Sequence, residues 1–171
     1  MGVIISAFQS ETRERVIGAI LLRKPKSLGR WDSYAAVITT QRMIFAQITS
    51  DMVKEAIEKA KQQAKAEGKG FLGQWSAQLG ATFNYIQKYL SMEPSAIISE
   101  TPGNFYIENG AIRDIKIKDK RVRDKGGYDE LEAEISSSSG KFVFTLDRNM
   151  DNIKMLKQIY GDRVKTPFML I

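Results

Sequence analysis

Apolar residues recur with two different periods along this chain, and the switches between them mark out its elements. Val16 to Leu22 (VIGAILL) is an apolar run of strand length. Tyr34 to Ile48 (YAAVITTQRMIFAQI) sets two runs of β-branched, aromatic and small apolar residues around a polar Thr-Thr-Gln-Arg centre, which predicts a tight hairpin. The other elements fall on either side of this hairpin as an antiparallel β framework, interrupted once by helix.

From Ser50 the period becomes helical. Ser50 is expected to cap a helix beginning at Asp51, with Val53, Ala56, Ile57, Ala60 and Ala64 on one narrow face and charged residues around the rest. Gly68 and Gly70 stop it. A second helix is predicted over Phe71 to Leu90, where Trp75, Leu79, Phe83, Ile86 and Tyr89 share a broad apolar face. Its back carries Gly73, Ser76, Ala77, Gly80 and Asn84, and no charged side chain occurs from Phe71 to Gln87. Both faces are therefore expected to be covered, the small one by the Ala-rich face of the preceding helix in a helical hairpin. Its Gln, Asn and Gly content argues against a membrane span.

Met92 to Glu100 reads as one helical turn opened by Pro94, and Phe105 to Ile107 as a brief strand. Asn109-Gly110 predicts a hairpin turn into Ile112–Val122, where Ile115 and Ile117 alternate with Lys116 and Lys118. After Gly126-Gly127, Leu131, Ala133 and Ile135 alternate with Glu130, Glu132 and Glu134. Ser136 to Gly140 is a turn before Phe142–Leu146. A last helix from Asn149 to Tyr160 stops at Gly161, leaving the apolar tail Thr166 to Ile171.

The length of 171 residues fits one domain, 1–171, with a helical insertion over about 51–98. Cys and His are both absent. Disulfides, thiolate chemistry, the usual general base and the commonest transition-metal ligand go with them, so a non-enzymatic chain without cofactor or metal is expected, in a reducing cytoplasmic setting. Lys and Arg number 26 against 20 Asp and Glu, and the net charge of +6 favours anionic partners.

Several letter patterns lack the context their chemistry needs. Gly68, Gly70 and Gly73 match G-x-G-x-x-G, but a helix rather than a strand precedes them, so they read as a hinge. Ser138 and Lys141 match S-x-x-K on a turn instead of a helix. Gly2 and Ser6 match an acylation pattern, although Met1 to Phe8 reads more simply as an apolar strand or tail.

Two basic segments remain. Arg113 to Lys125 holds seven cations against three acids and is expected to pair with the acidic Glu130–Glu134 strand. Arg23 to Arg30 (RKPKSLGR) reads as a loop whose Arg23, Lys24, Lys26 and Arg30 meet no acid, which makes it the better binding candidate. Neither segment interleaves aromatics with its cations, which argues against nucleic acid, and the adjoining Trp31 is read as core.

Seven strands followed by one helix is an order similar to the pleckstrin-homology superfold. The wording of Ala35 to Ala46 (AAVITTQRMIFA) and Ile112 to Ile117 (IRDIKI) resembles bacterial and archaeal PH-like or GRAM-like domains. The resemblance implies an α+β chain, a PH-like seven-stranded antiparallel barrel or orthogonal sandwich with a C-terminal capping helix. The helical hairpin is inserted between strands 3 and 4. In such domains the loop between the first two strands often contacts phosphoinositides or other acidic lipids through Lys and Arg, and Arg23–Arg30 stands in that place. The capping helix lacks the family's Trp, leaving Leu156 or Tyr160 to fill the space. Two functions are thus expected: a binding module for an acidic membrane surface or acidic protein, peripheral on a membrane; or a structural homo-oligomer joined through Trp75, Leu79, Phe83 and Ile86 of the uncharged helix.

Overall fold

Three consecutive strands, β1 (Val16–Pro25), β2 (Trp31–Thr39) and β3 (Arg42–Ile48), form an antiparallel meander in the computed structural model, which describes residues 13–68, 70, 85–121 and 129–167. The β2–β3 hairpin sets Ala35 opposite Ala46, Val37 opposite Ile44 and Ile38 opposite Met43. Its turn is fastened by the Thr39 hydroxyl, which accepts from the Gln41 and Arg42 amides at 3.1 and 2.9 Å. Helix α1 (Ser50–Ala66) follows, and its N-cap is Thr49 rather than Ser50, since the Thr49 hydroxyl accepts from the Met52 amide at 3.2 Å. After helical residues 85–87, a 3-10 turn (Lys88–Ser91) and α2 (Pro94–Glu100) lead into β4 (Phe105–Glu108). Then come β5 (Ile112–Arg121), β6 (Asp129–Ser137), β7 (Gly140–Asp147), α3 (Met150–Tyr160) and β8 (Val164–Lys165).

All eight strands join one sheet, in the order β4-β3-β2-β1-β7-β6-β5-β8. This is a mixed α+β fold, and it corrects the expected seven-stranded barrel in two ways. The ladder does not close among the described residues: β4 ends it on one side and β8 on the other. The eighth strand, between the last helix and the apolar tail where the sequence pattern predicts no element, runs parallel to β5 with Val164 beside Ile115.

Asn109-Gly110 is a corner instead of a hairpin turn, because β4 pairs with β3 and β5 pairs with β6 and β8. The corner is held by the first hairpin: the Asn109 amide donates to the Gln41 carbonyl at 2.9 Å, and its side-chain amide donates to the Thr39 carbonyl at 3.0 Å. The strand β6 extends through Ser137, so only Ser138 and Ser139 remain as turn.

The two sides of the sheet hold separate apolar clusters. On one side Ile20, Leu22, Ala36, Ile38 and Phe45 meet Ile115, Leu131, Phe144 and Leu146, with Ile153, Leu156 and Tyr160 of α3 packed among them. The Phe45 ring stacks on Phe105 and Phe144 at centroid separations of 4.7 and 5.3 Å. On the other side Ala35, Val37, Ile44, Ala46 and Ile48 are covered by Ile86, Tyr89 and Ile97. Residues pointing both ways from β2 and β3 are consequently buried, which explains why the hairpin reads as nearly continuous apolar sequence.

Leu156 and Tyr160 of α3 are both buried in the larger apolar cluster, and the Tyr160 hydroxyl donates to Asn109 Oδ1 at 2.8 Å. Gly161, at φ 59°, ends that helix in a backbone conformation that L side chains rarely adopt.

Candidate functional site

Extended backbone carries β1 further than its apolar run, so Arg23 and Lys24 are strand residues opposite Ser33 and Asp32. The loop proper is only Lys26 to Arg30. It is closed by the Lys26 amide donating to the Arg30 carbonyl at 2.7 Å, around a 3-10 turn over Ser27–Gly29. Leu28 at its tip has φ 61° and ψ 37°, and Gly29 follows with φ 67°.

The four basic residues, expected to form one loop that meets no acid, separate by charge balance. Arg23 lies on the outer face of the sheet, 20 % exposed, where Nη2 meets Glu130 Oε1 at 3.1 Å and Asp147 Oδ1 at 2.9 Å. The expectation that it meets no acid is therefore corrected: its antiparallel neighbour β7 brings Asp147, and β6 brings Glu130 beside that. Lys26 Nζ pairs with Asp32 Oδ1 at 2.7 Å, again across the strands that flank the loop. Lys24 and Arg30 are exposed and form no ion pair with a described residue.

Trp31 is also corrected. It is 60 % exposed instead of core, because β2 begins at Trp31 beyond the reach of either apolar cluster. Leu28 is 90 % exposed. The end of the β1–β2 hairpin thus presents two large apolar side chains among Lys24, Lys26 and Arg30. Leu28 had a visible signal, as the lone large apolar residue of RKPKSLGR.

Of the proposed interface residues, Trp75, Leu79 and Phe83 lie outside the described residues. Ile86 is buried in the second apolar cluster of its own chain, together with Val37 and Ile44. The basic and acidic strands meet as expected: Lys116 lies opposite Glu134 and Lys118 opposite Glu132, with Lys118 and Lys141 both reaching Glu134, at 3.5 and 3.0 Å.

A second polar cluster borders a cleft of about 540 Å³ between α1 and residues 85–100. Lys88 Nζ donates to the Tyr85 hydroxyl at 2.6 Å and pairs with Glu100, which also accepts from the Tyr89 hydroxyl at 2.6 Å. Burial works against the charged form of Lys88, but the bonds to Glu100 and Tyr85 prevail and raise its pKa. Burial, reinforced by the bond to Glu100, pushes the Tyr89 phenol far up. The cluster is internally balanced, whereas the β1–β2 end has charge to spare.

Among the described residues no group of three or more Asp or Glu is arranged to hold a metal ion, and no helix is long and apolar enough to cross a membrane. No family model matches the sequence, and no curated protein does. Among solved structures the chain is similar to the hSac2 domain from human phosphoinositide phosphatase Sac2. The identity is 10%, the TM-score 0.45, and the match covers 97% of this chain and 87% of that one. A likeness this distant assigns neither fold family nor function.

Proposed function

We propose that this chain is a non-enzymatic binding module of pleckstrin-homology-like architecture that attaches reversibly to acidic membrane surfaces through the end of its β1–β2 hairpin. The architecture is supported by the meander β1–β4, the return of β7 to β1, and a C-terminal helix packed into the larger apolar cluster. The observation that carries the binding role is the contrast among the cations. Arg23 is consumed by Glu130 and Asp147, while Lys24 and Arg30 are exposed beside the loop and form no ion pair with a described residue.

Each basic residue near an anionic bilayer contributes about 1 kcal/mol, so Lys24 and Arg30 together give about 2 kcal/mol, with a smaller share from Lys26 across its contact with Asp32. Attachment of this size is weak and falls with salt. Co-sedimentation with phosphatidylcholine vesicles, with and without about 30% phosphatidylserine, tests it. Binding is expected only with phosphatidylserine, and Lys24→Gln with Arg30→Gln is expected to weaken it. Equal sedimentation with both vesicle types, or none with either, would refute the reading.

A further inference from the structure

Leu28 is apolar, almost wholly exposed and held in the left-handed region at φ 61°, where a leucine is disfavoured by its own Cβ. Among the described residues it packs in neither apolar cluster. A glycine would relieve the backbone and a polar residue would suit the solvent, yet the loop places a leucine at its tip. Trp31, three residues on, is likewise left in solvent. Both share the end of the β1–β2 hairpin with Lys24, Lys26 and Arg30, and Asp32 of the same segment is engaged by Lys26.

From this juxtaposition we infer that the β1–β2 loop penetrates the bilayer, with Leu28 reaching the acyl boundary, Trp31 lying at the headgroup level, and Lys24 and Arg30 meeting lipid phosphates and carboxylates. The inference rests on the membrane reading above and adds to it a depth and an orientation. An anionic bilayer is the partner that uses every part of the loop. Its headgroups answer the cations, its interface suits an indole that is apolar in body and polar at its N–H, and its hydrocarbon edge accepts a leucine. An acidic protein surface would answer the charges and leave Leu28 unburied. The closed five-residue loop, tied by Lys26 to Arg30, holds the tip extended before contact, so little ordering is required on binding.

The absence of Cys allows a single reporter, Ser27→Cys, labelled with an environment-sensitive dye in the full chain. With vesicles of phosphatidylcholine and phosphatidylserine the dye is expected to shift to the blue and to be quenched by lipids brominated on the acyl chains. The Trp31 contribution, taken as wild type minus Trp31→Phe, is expected to be quenched more weakly. Leu28→Gly is expected to lower vesicle partitioning about tenfold or more while keeping or raising thermal stability, since it removes both the exposed side chain and the strained leucine. Retention of full binding by Leu28→Gly, or binding with the Ser27 dye unquenched, would overturn insertion while leaving electrostatic attachment standing. Failure of any anionic vesicle to bind would overturn both. A dye response to single-stranded DNA or polyglutamate but not to vesicles would overturn the lipid assignment.

Discussion

Arg42 holds Glu14 through two parallel hydrogen bonds, Nε to Oε1 at 2.9 Å and Nη2 to Oε2 at 3.0 Å. The Thr39 hydroxyl donates to the same carboxylate at 2.6 Å, so the segment before β1 is clamped to the turn of the first hairpin. Burial works against the Glu14 carboxylate, but the bonds from Arg42 and Thr39 prevail and its pKa falls below the ordinary 4.5. A carboxyl lowered in the folded state stabilises above its unfolded pKa and loses that contribution as pH falls through the folded value. Glu14→Gln is therefore expected to reduce unfolding free energy by about 2 kcal/mol at neutral pH. In urea denaturation at stepped pH, the gap between wild type and variant should begin to narrow near pH 4.5 and close at lower pH. A gap that stayed constant down to the acid limit would contradict the assignment.

Arg23 and Lys24 adjoin in sequence but are predicted to have opposite phenotypes. Arg23→Ala strips a half-buried cation from Glu130 and Asp147 and is expected to lose about 1–2 kcal/mol of stability, with little change in vesicle binding. Lys24→Ala is expected to leave stability within about 0.5 kcal/mol and to weaken binding several-fold. Thermal melts and co-sedimentation on the same two preparations separate the roles, and matching phenotypes would disprove the division.

Tyr34, Tyr89 and Tyr160 have phenols pushed up, chiefly by burial. A phenol raised by folding stabilises fully below its unfolded pKa, near 10, and that contribution is lost as pH rises above it. Spectrophotometric titration should therefore show these three phenols ionising only in a steep phase that coincides with alkaline unfolding. Ionisation of all three in the still folded protein would contradict it.

Tyr160 ties the last helix to the corner after β4, and Arg163 Nη1 adds bonds to the Asn109 and Ile112 carbonyls at 2.7 and 3.0 Å. Tyr160→Phe is expected to lose about 1 kcal/mol by leaving Asn109 without that donor, and Tyr160→Ala about 3–5 kcal/mol by opening a cavity. Chemical denaturation midpoints check both, and equal effects would show that the hydroxyl contributes nothing.

Two apolar runs around a polar turn made the first hairpin legible, and periodicity did the same for α1, the β5–β6 charge pairing and α3, each of which has one uniform face over many residues. It failed where a residue's fate depends on partners distant in sequence. Nothing in RKPKSLGR announces that Glu130 and Asp147 will arrive beside Arg23, because strand order decides it. Trp31 looked like core because tryptophans usually are, and only the point at which β2 emerges from the sheet shows otherwise. The corner at Asn109 mimicked a hairpin signal, for a turn motif records local backbone preference and says nothing of which strand lies alongside. The pairing of Val164–Lys165 was hidden for the same reason: two residues are too few to show alternation.

Burial on both faces of the first hairpin also has a consequence in time. Tyr34 to Ile48 is synthesised before either of its covers: Ile86 to Ile97 must follow before one face is buried, and the strands and helix reaching Val164 before the other is. At roughly 5–20 residues per second Val37 and Ile44 wait a few seconds, and Ile38 and Phe45 on the order of ten. The ribbon is thus sticky on both faces while the helical segment is being made, the stage at which a holdase would have most to protect.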